Sequence, residues 1–208
     1  LRWVYMCIRY MACTFWFVYV GITLAEVCLL MVGGVNMFDA VCHAFATTAT
    51  GGFSTHDAGV MYWHSPFVEY VIAVFMLLSG INFTLYFLSL RGRLRQSWRD
   101  GELRWFLSSI LVLTLFIALV LWRQTPMNFE EAFRKSLFQV ATCHTSTGFA
   151  SANYTLWPTY VQLLLLFAML SGGCTGSTSG GIKCARLGVL WQAMRHQLRR
   201  LLHPHAEC

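Results

Sequence analysis

Two short strips of small residues, Ala49-Thr50-Gly51-Gly52 and Thr145-Ser146-Thr147-Gly148, are the stretches of this chain best suited to chemistry. Each runs into a phenylalanine, Phe53 or Phe149, and laying one strip on the other gives an offset of 96 residues. The chemistry they suit is coordination of a cation by oxygen. A row of small residues lets successive backbone carbonyls turn toward one axis, where they replace an ion's hydration shell. Glycine is needed because alternating the carbonyls demands φ values that a Cβ resists. The competing use of small residues is close helix packing. One such strip is a weak signal. Two at the same place in two similar units are a strong one, and internal repeats decide the fold.

A third stretch needs separate weighing: Ser171, Gly172, Gly173, Cys174, Thr175, Gly176, Ser177, Thr178, Ser179, Gly180 and Gly181, followed closely by Lys183. It interrupts an apolar run, and its glycines make a continuous helix poor, at roughly 1 kcal/mol each relative to Ala. A break inside a spanning helix with a cation just below it suits a mobile gate; a surface for packing helices is the other use. It lacks the Gly-Lys-Ser/Thr ending of a phosphate-cradling loop.

The strips must be positioned by helices. The expected elements are an apolar span from about Tyr10 to Val32, a short helix from Asn36 or Asp39 to about Thr48, and a span from about Phe67 to Leu90. A second set follows: a span from Trp105 to Trp122, a short helix from Glu130 to Val140, and an apolar run from near Thr159 to about 182. The short helices cannot cross a ~30 Å hydrocarbon core, so each dips in and returns by its strip. Irregular backbone at that depth is tolerated only where protein surrounds it or it lines a watery cavity. The C-terminal half-charge of each short helix would favour a cation at the strip. Glu26, alone in the first span, is expected to reach the outer interface, although a carboxylate at depth is a functional candidate by default.

With 57% hydrophobic and 12% charged residues, and a mean hydropathy of +0.55, the chain departs from the soluble average of roughly 25% charged. The reading is an all-α integral membrane protein of two tandem helix–pore loop–helix repeats, 1–100 (re-entrant loop 36–57) and 101–208 (re-entrant loop 129–151, basic tail 183–208). Segments 1–9, 91–104 and 183–208 hold twelve of the 15 Lys and Arg, which places them in the cytoplasm and opens both strips to the outside. The tail suits an anionic lipid surface better than nucleic acid. The 8 cysteines have no paired spacing and read as small hydrophobes. No metal site, cofactor or enzyme active site is expected: His43, His56, His64 and His144 make no HExxH and the acids nearby form no set. The chain begins at Leu1 without a signal peptide and reads as an interior piece of a longer polypeptide.

Residues 38–45 (Phe-Asp-Ala-Val-Cys-His-Ala-Phe) and 49–57 resemble the second pore loop of the TrkH branch of the Trk/Ktr/HKT superfamily of potassium transporters. Ser171 to Lys183 resembles the broken helix of that family's third repeat, and Arg200-Leu201-Leu202-His203-Pro204 fits the same segment. The resemblance implies half of a pseudo-four-fold, cation-channel-like fold, with only the second and third repeats present. It implies that Ala49, Thr50, Gly51, Gly52, Thr145, Ser146, Thr147 and Gly148 stand at filter positions binding potassium, and that Ser171 to Gly181 is an intramembrane gating loop. It also implies a bacterial cytoplasmic (inner) membrane, a homodimer of the full protein, a cytosolic nucleotide-binding regulatory subunit, and the missing repeats or further copies of the chain as partners. Two sides of a four-sided pore do not enclose an ion, so the chain alone is not expected to conduct. Gly52 and Gly148 favour potassium, while Thr147 stands where the first strip has Gly51. The alternatives are a sodium-preferring relative and a non-conducting truncated membrane scaffold.

Overall fold

The structure, a computed structural model, describes residues 2–90, 92 and 94–202. The arginines at 91 and 93, and the tail assignment and resemblance over 203–208, lie outside the described residues.

The first unit begins with α1 (Arg2–Val32), whose Ala12–Val32 portion is long and apolar enough to cross a membrane. Gly33-Gly34 ends it, with Gly34 at φ 85°. Helix α2 (Met37–Thr48) follows after Asn36, which occupies the N-cap without a side-chain bond. Twelve residues rise only about 18 Å. A short 3-10 turn, Gly59–Trp63, then leads to α3 (Pro66–Ser79), whose first-turn proline is preset for a helical start.

The expected continuous span over 67–90 is not what forms. The chain bends by 93° between α3 and α4 (Phe83–Leu90). At the bend Asn82 uses its side-chain oxygen to accept the Thr84 N–H at 2.8 Å, a local bond that competes with helix continuation. The short α5 (Leu94–Trp98) completes the unit.

The second unit opens on α6 (Gly101–Gln124), also of crossing length and apolarity. Asp100 caps it, accepting from the Glu102 and Leu103 N–H groups at 2.8 and 3.3 Å; such a cap satisfies donors the helix itself leaves unpaired. Helix α7 (Phe129–His144) is one turn longer than the sequence suggested, and carries Glu130 and Glu131 in its first turn, where they complement the helix dipole. A 3-10 turn, Tyr154–Leu156, precedes α8 (Thr159–Leu170), which stops after 12 residues. Residues 171–183 are irregular, and α9 (Cys184–Leu202) follows.

Each unit has its own apolar core, one around Leu30, Ile72 and Met76 and the other around Phe106, Ile117 and Leu121. They are not independent. Phe138 and Phe149 of the second unit are buried in the first unit's core, and α3 packs against α7. Outward faces of α1, α6 and α8 leave Trp16, Phe17, Val112, Phe116 and Phe167 exposed, as suits helices bathed in lipid.

Candidate functional site

Both short helices end in the same hydrogen-bonded turn. In the first unit the N–H groups of Ala49, Thr50 and Gly51 donate to the carbonyls of Phe45, Thr47 and Ala46 at 3.0, 3.0 and 2.7 Å. In the second, those of Thr145, Ser146 and Thr147 donate to Ala141, Cys143 and Thr142 at 2.9, 3.2 and 3.0 Å. Donors and acceptors correspond at the 96-residue offset throughout. This is the Schellman ending of a helix, which normally places glycine at its left-handed position. Here that position holds Thr50 (φ 52°) and Ser146 (φ 57°). A left-handed residue other than glycine stores of order 1–3 kcal/mol of strain, and a β-branched one such as Thr50 is a genuine outlier. Two residues on, Gly52 (φ 69°) and Gly148 (φ 92°) are again left-handed. Gly51 and Thr147 between them are not, so the sense of the backbone alternates along each strip and successive carbonyls can turn to a common side.

The strips meet. A Cβ on Gly52 would run into the Thr147 carbonyl, with its carbon at 2.9 Å and that of Gly148 at 3.2 Å. Gly148 has open space where its Cβ would stand. Gly52 is therefore constrained by both conformation and neighbour, and Gly148 by conformation alone.

The irregular segment 171–183 lies against the same seam. Its two ends are zipped together: Gly172 N–H donates to the Ile182 carbonyl (2.9 Å), Ile182 N–H to Leu170 (3.3 Å) and Cys184 N–H to Gly173 (3.2 Å). Its tip reaches the first strip. The Thr178 hydroxyl donates to the Thr48 carbonyl at 2.9 Å and to the Ser79 carbonyl at 3.2 Å, and the Thr50 hydroxyl donates back to the Thr178 carbonyl at 3.0 Å. Gly180 lies against Ser146 of the second strip, where a Cβ would meet the serine Cβ at 3.3 Å. Lys183, expected as a charge just below the loop, folds back onto it: its ammonium donates to the Ser177 carbonyl at 3.3 Å and to the Ser179 carbonyl. The expected strip and loop residues are thus brought together at one place.

Two residues that hold the site, Gly80 and Glu102, were not singled out from the sequence. The bend after α3 frees the Gly80 carbonyl, which accepts the Cys174 N–H at 3.0 Å. Glu102 accepts from the Thr175 N–H and hydroxyl at 2.6 and 2.8 Å. Among the histidines, His43 pairs with the Asp39 carbonyl (2.8 Å) and the Ser54 hydroxyl (3.0 Å), and stacks on Phe149 at 5.7 Å. It ties α2 to the chain leaving both strips. His144 pairs with the Ser109 hydroxyl (3.1 Å) and the Ala168 carbonyl (3.2 Å), linking α7 to α6 and α8. Both rings are buried joints. Among the described residues no cluster of three or more His, Cys, Asp or Glu could hold a metal ion.

Asp39 was expected as a possible cap. Instead its carboxylate accepts from the Thr55 hydroxyl at 2.7 Å and pairs with the His56 ring at 3.3 Å. The Thr55 bond, reinforced by His56, holds this carboxyl below the usual carboxylate range. Glu69 forms an ion pair with Arg134 across the two units at 2.6 Å, with both side chains largely buried. Glu26 does not reach an interface. It is fully buried, and among the described residues neither carboxylate oxygen has a partner within hydrogen-bond geometry. The neighbouring Thr47 hydroxyl is committed to the His43 carbonyl at 2.8 Å.

Two helix–re-entrant loop–helix units, with their short helices ending side by side and a broken span packed against the ends, define an all-helical membrane-protein fold. The model of the family described as Cation transport protein (TrkH) matches residues 3–208, and the chain belongs to that family. It is 41% identical over 199 residues to the Trk system potassium uptake protein TrkH of Escherichia coli K12, covering 93% of this chain and 40% of that protein. It is 35% identical over 194 residues to the Trk system potassium uptake protein TrkG of the same organism, covering 93% of this chain and 40% of the relative. Its fold superposes on the crystal structure of the potassium transporter TrkH from Vibrio parahaemolyticus with a TM-score of 0.90 at 36% identity, over 97% of this chain and 44% of that one. The chain therefore spans about 40% of the length of these curated relatives.

Proposed function

We infer that this chain supplies two sides of a potassium uptake pathway in a bacterial inner membrane, completed by further repeats. Ala49, Thr50, Gly51 and Gly52, with Thr145, Ser146, Thr147 and Gly148, form half of a carbonyl-lined filter. Ser171 to Gly181, with Lys183, is the gating loop beneath it. The observation that carries the reading is the matched left-handed pair in each strip, Thr50 and Gly52 against Ser146 and Gly148. Such backbone is costly away from glycine, and a packing surface does not require it twice at the same offset. The names of the relatives support potassium as the ion. The basic segments face the cytoplasm, a homodimer and a cytosolic nucleotide-binding regulatory subunit complete the assembly, and potassium is cargo, with no resident cofactor.

The test uses a chimera of Escherichia coli TrkH in which residues 3–208 replace the aligned segment, expressed in a strain deficient in potassium uptake. The chimera should restore growth at low potassium. Gly148→Ser, which has room for its Cβ, should lower the preference for potassium over sodium; each 1.4 kcal/mol of lost differential binding is about tenfold. Gly52→Ser should do the same with additional loss of folded protein. A chimera that prefers sodium from the outset would favour the sodium-selective reading, consistent with Thr147 replacing a glycine. Unchanged preference in both serine variants would remove these positions from the filter.

A further inference from the structure

The irregular loop is also held by Glu102, which sits at the start of α6 in the same unit. One oxygen, Oε1, accepts from three donors: the Thr175 N–H at 2.6 Å, the Thr175 hydroxyl at 2.8 Å and the Ala185 N–H at 3.3 Å. Thr175 belongs to the loop and Ala185 to the first turn of α9. Glu102 itself is oriented by the capping turn, since its own N–H is bound to Asp100 at 2.8 Å.

This arrangement differs from an ordinary acidic residue in a first turn, which complements its own helix dipole and points into solvent. Glu102 turns away from α6 to satisfy the free N–H of a second helix, α9, where a carboxylate is favoured by the unpaired donors. The same oxygen fastens a residue 73 positions later in the loop. Hydrogen bonds to a charged acceptor are the stronger kind. The loop is held by two opposite charges: Lys183 takes its carbonyls, and Glu102 takes its N–H and hydroxyl donors.

We propose that Glu102 is a positioning residue that latches the loop in its closed arrangement and fastens it to α9, so that the loop leaves the strips only when this carboxylate lets go. The proposal rests on the loop being the gate. The latch also has a mechanical consequence. Asp100 and Glu102 begin α6 shortly after α5 (Leu94–Trp98), so a displacement of α5 is passed to the loop through the Glu102 side chain.

The experiment uses the same chimera, measuring rubidium uptake and the potassium-to-sodium preference, with the amount of folded protein read by size exclusion in detergent. Deleting residues 172–180 tests the gate and should raise uptake. Glu102→Ala should raise basal uptake roughly tenfold, the scale of one hydrogen bond to a charged group, with ion preference unchanged. Glu102→Gln should fall between, because its amide oxygen still accepts from Thr175 without the charge. Thr175→Val, which removes one hydroxyl and cannot disturb α6, should raise uptake less, and combining it with Glu102→Ala should add nothing. If Glu102→Ala is lost from the membrane, the Gln and Val variants decide. Raised uptake on deletion with no change in the Glu102 and Thr175 variants would overturn the latch and leave the gate standing. Uptake that falls or stays unchanged on deletion would overturn both.

Discussion

The hydroxyl of Thr178 donates to the backbone carbonyl of Thr48 at 2.9 Å, joining residues 130 positions apart. Thr48 is the last residue of α2, and its carbonyl is one of those a helix end leaves without an intrahelical partner. The loop of the second unit therefore completes the helix end of the first. In return, Thr50 binds the Thr178 carbonyl at 3.0 Å, so the contact is reciprocal and fixes the loop tip in both directions.

Thr178→Val keeps the side-chain shape and removes the donor to both Thr48 and Ser79. The expected cost is about 1 kcal/mol, read as a lowered thermal midpoint in detergent together with faster proteolysis within 171–183. Thr178→Ser retains the hydroxyl and should behave like the parent. Equal proteolysis of the Val and Ser variants would show that the loop is held elsewhere.

The ion pair of Glu69 with Arg134 ties α3 to α7 with little solvent around either group. Removing one partner leaves a charge buried without its counterion, which costs about 3–5 kcal/mol. Glu69→Ala and Arg134→Ala should each destabilise strongly, whereas the pair Glu69→Leu with Arg134→Met should recover most of the loss. A Glu69→Ala variant nearly as stable as the parent would mean that Arg134 is held chiefly by Glu130, its other partner at 3.2 Å.

Asp39 gives a pH dependence with a definite sign. Its carboxyl is held below the usual range by Thr55 and then His56. A depressed carboxyl contributes stability at pH values above its unfolded pKa and loses it as pH falls through the folded one. The loss should thus occur below about pH 4. Asp39→Asn should be less stable than the parent at pH 7, with the difference shrinking as pH falls from 4 toward 2. A difference that is constant across that range, measured by thermal unfolding, would show that the carboxylate charge is immaterial.

The repeat, the short helices and the two strips were legible in the sequence because glycine and hydroxyl residues recur at one offset and apolar runs have definite lengths. The break at Ser171 was legible for the same reason, since five glycines crowd into it. The bend after Ser79 was not. Gly80-Ile81-Asn82 is a brief interruption of an apolar run, and its consequence depends on Asn82 bonding forward to Thr84 rather than on composition. Glu102 escaped notice because an acid near a helix start has an ordinary local explanation, and its partners lie 73 and 83 residues away. Glu26 was assigned to an interface because depth along a helix says nothing about which side faces a neighbouring helix. Its burial follows from the packing of α1 against α2.

Ser79-Gly80 and Ser171-Gly172 occupy corresponding places in the two units, and both interrupt a helix. In the first unit the interruption exposes the Gly80 carbonyl. In the second it releases the strand of chain whose Cys174 N–H binds that carbonyl at 3.0 Å. The same interruption forms a socket in one unit and a plug in the other. The two breaks are mechanically matched, because a substitution that heals either helix takes the Gly80–Cys174 bond away from its counterpart.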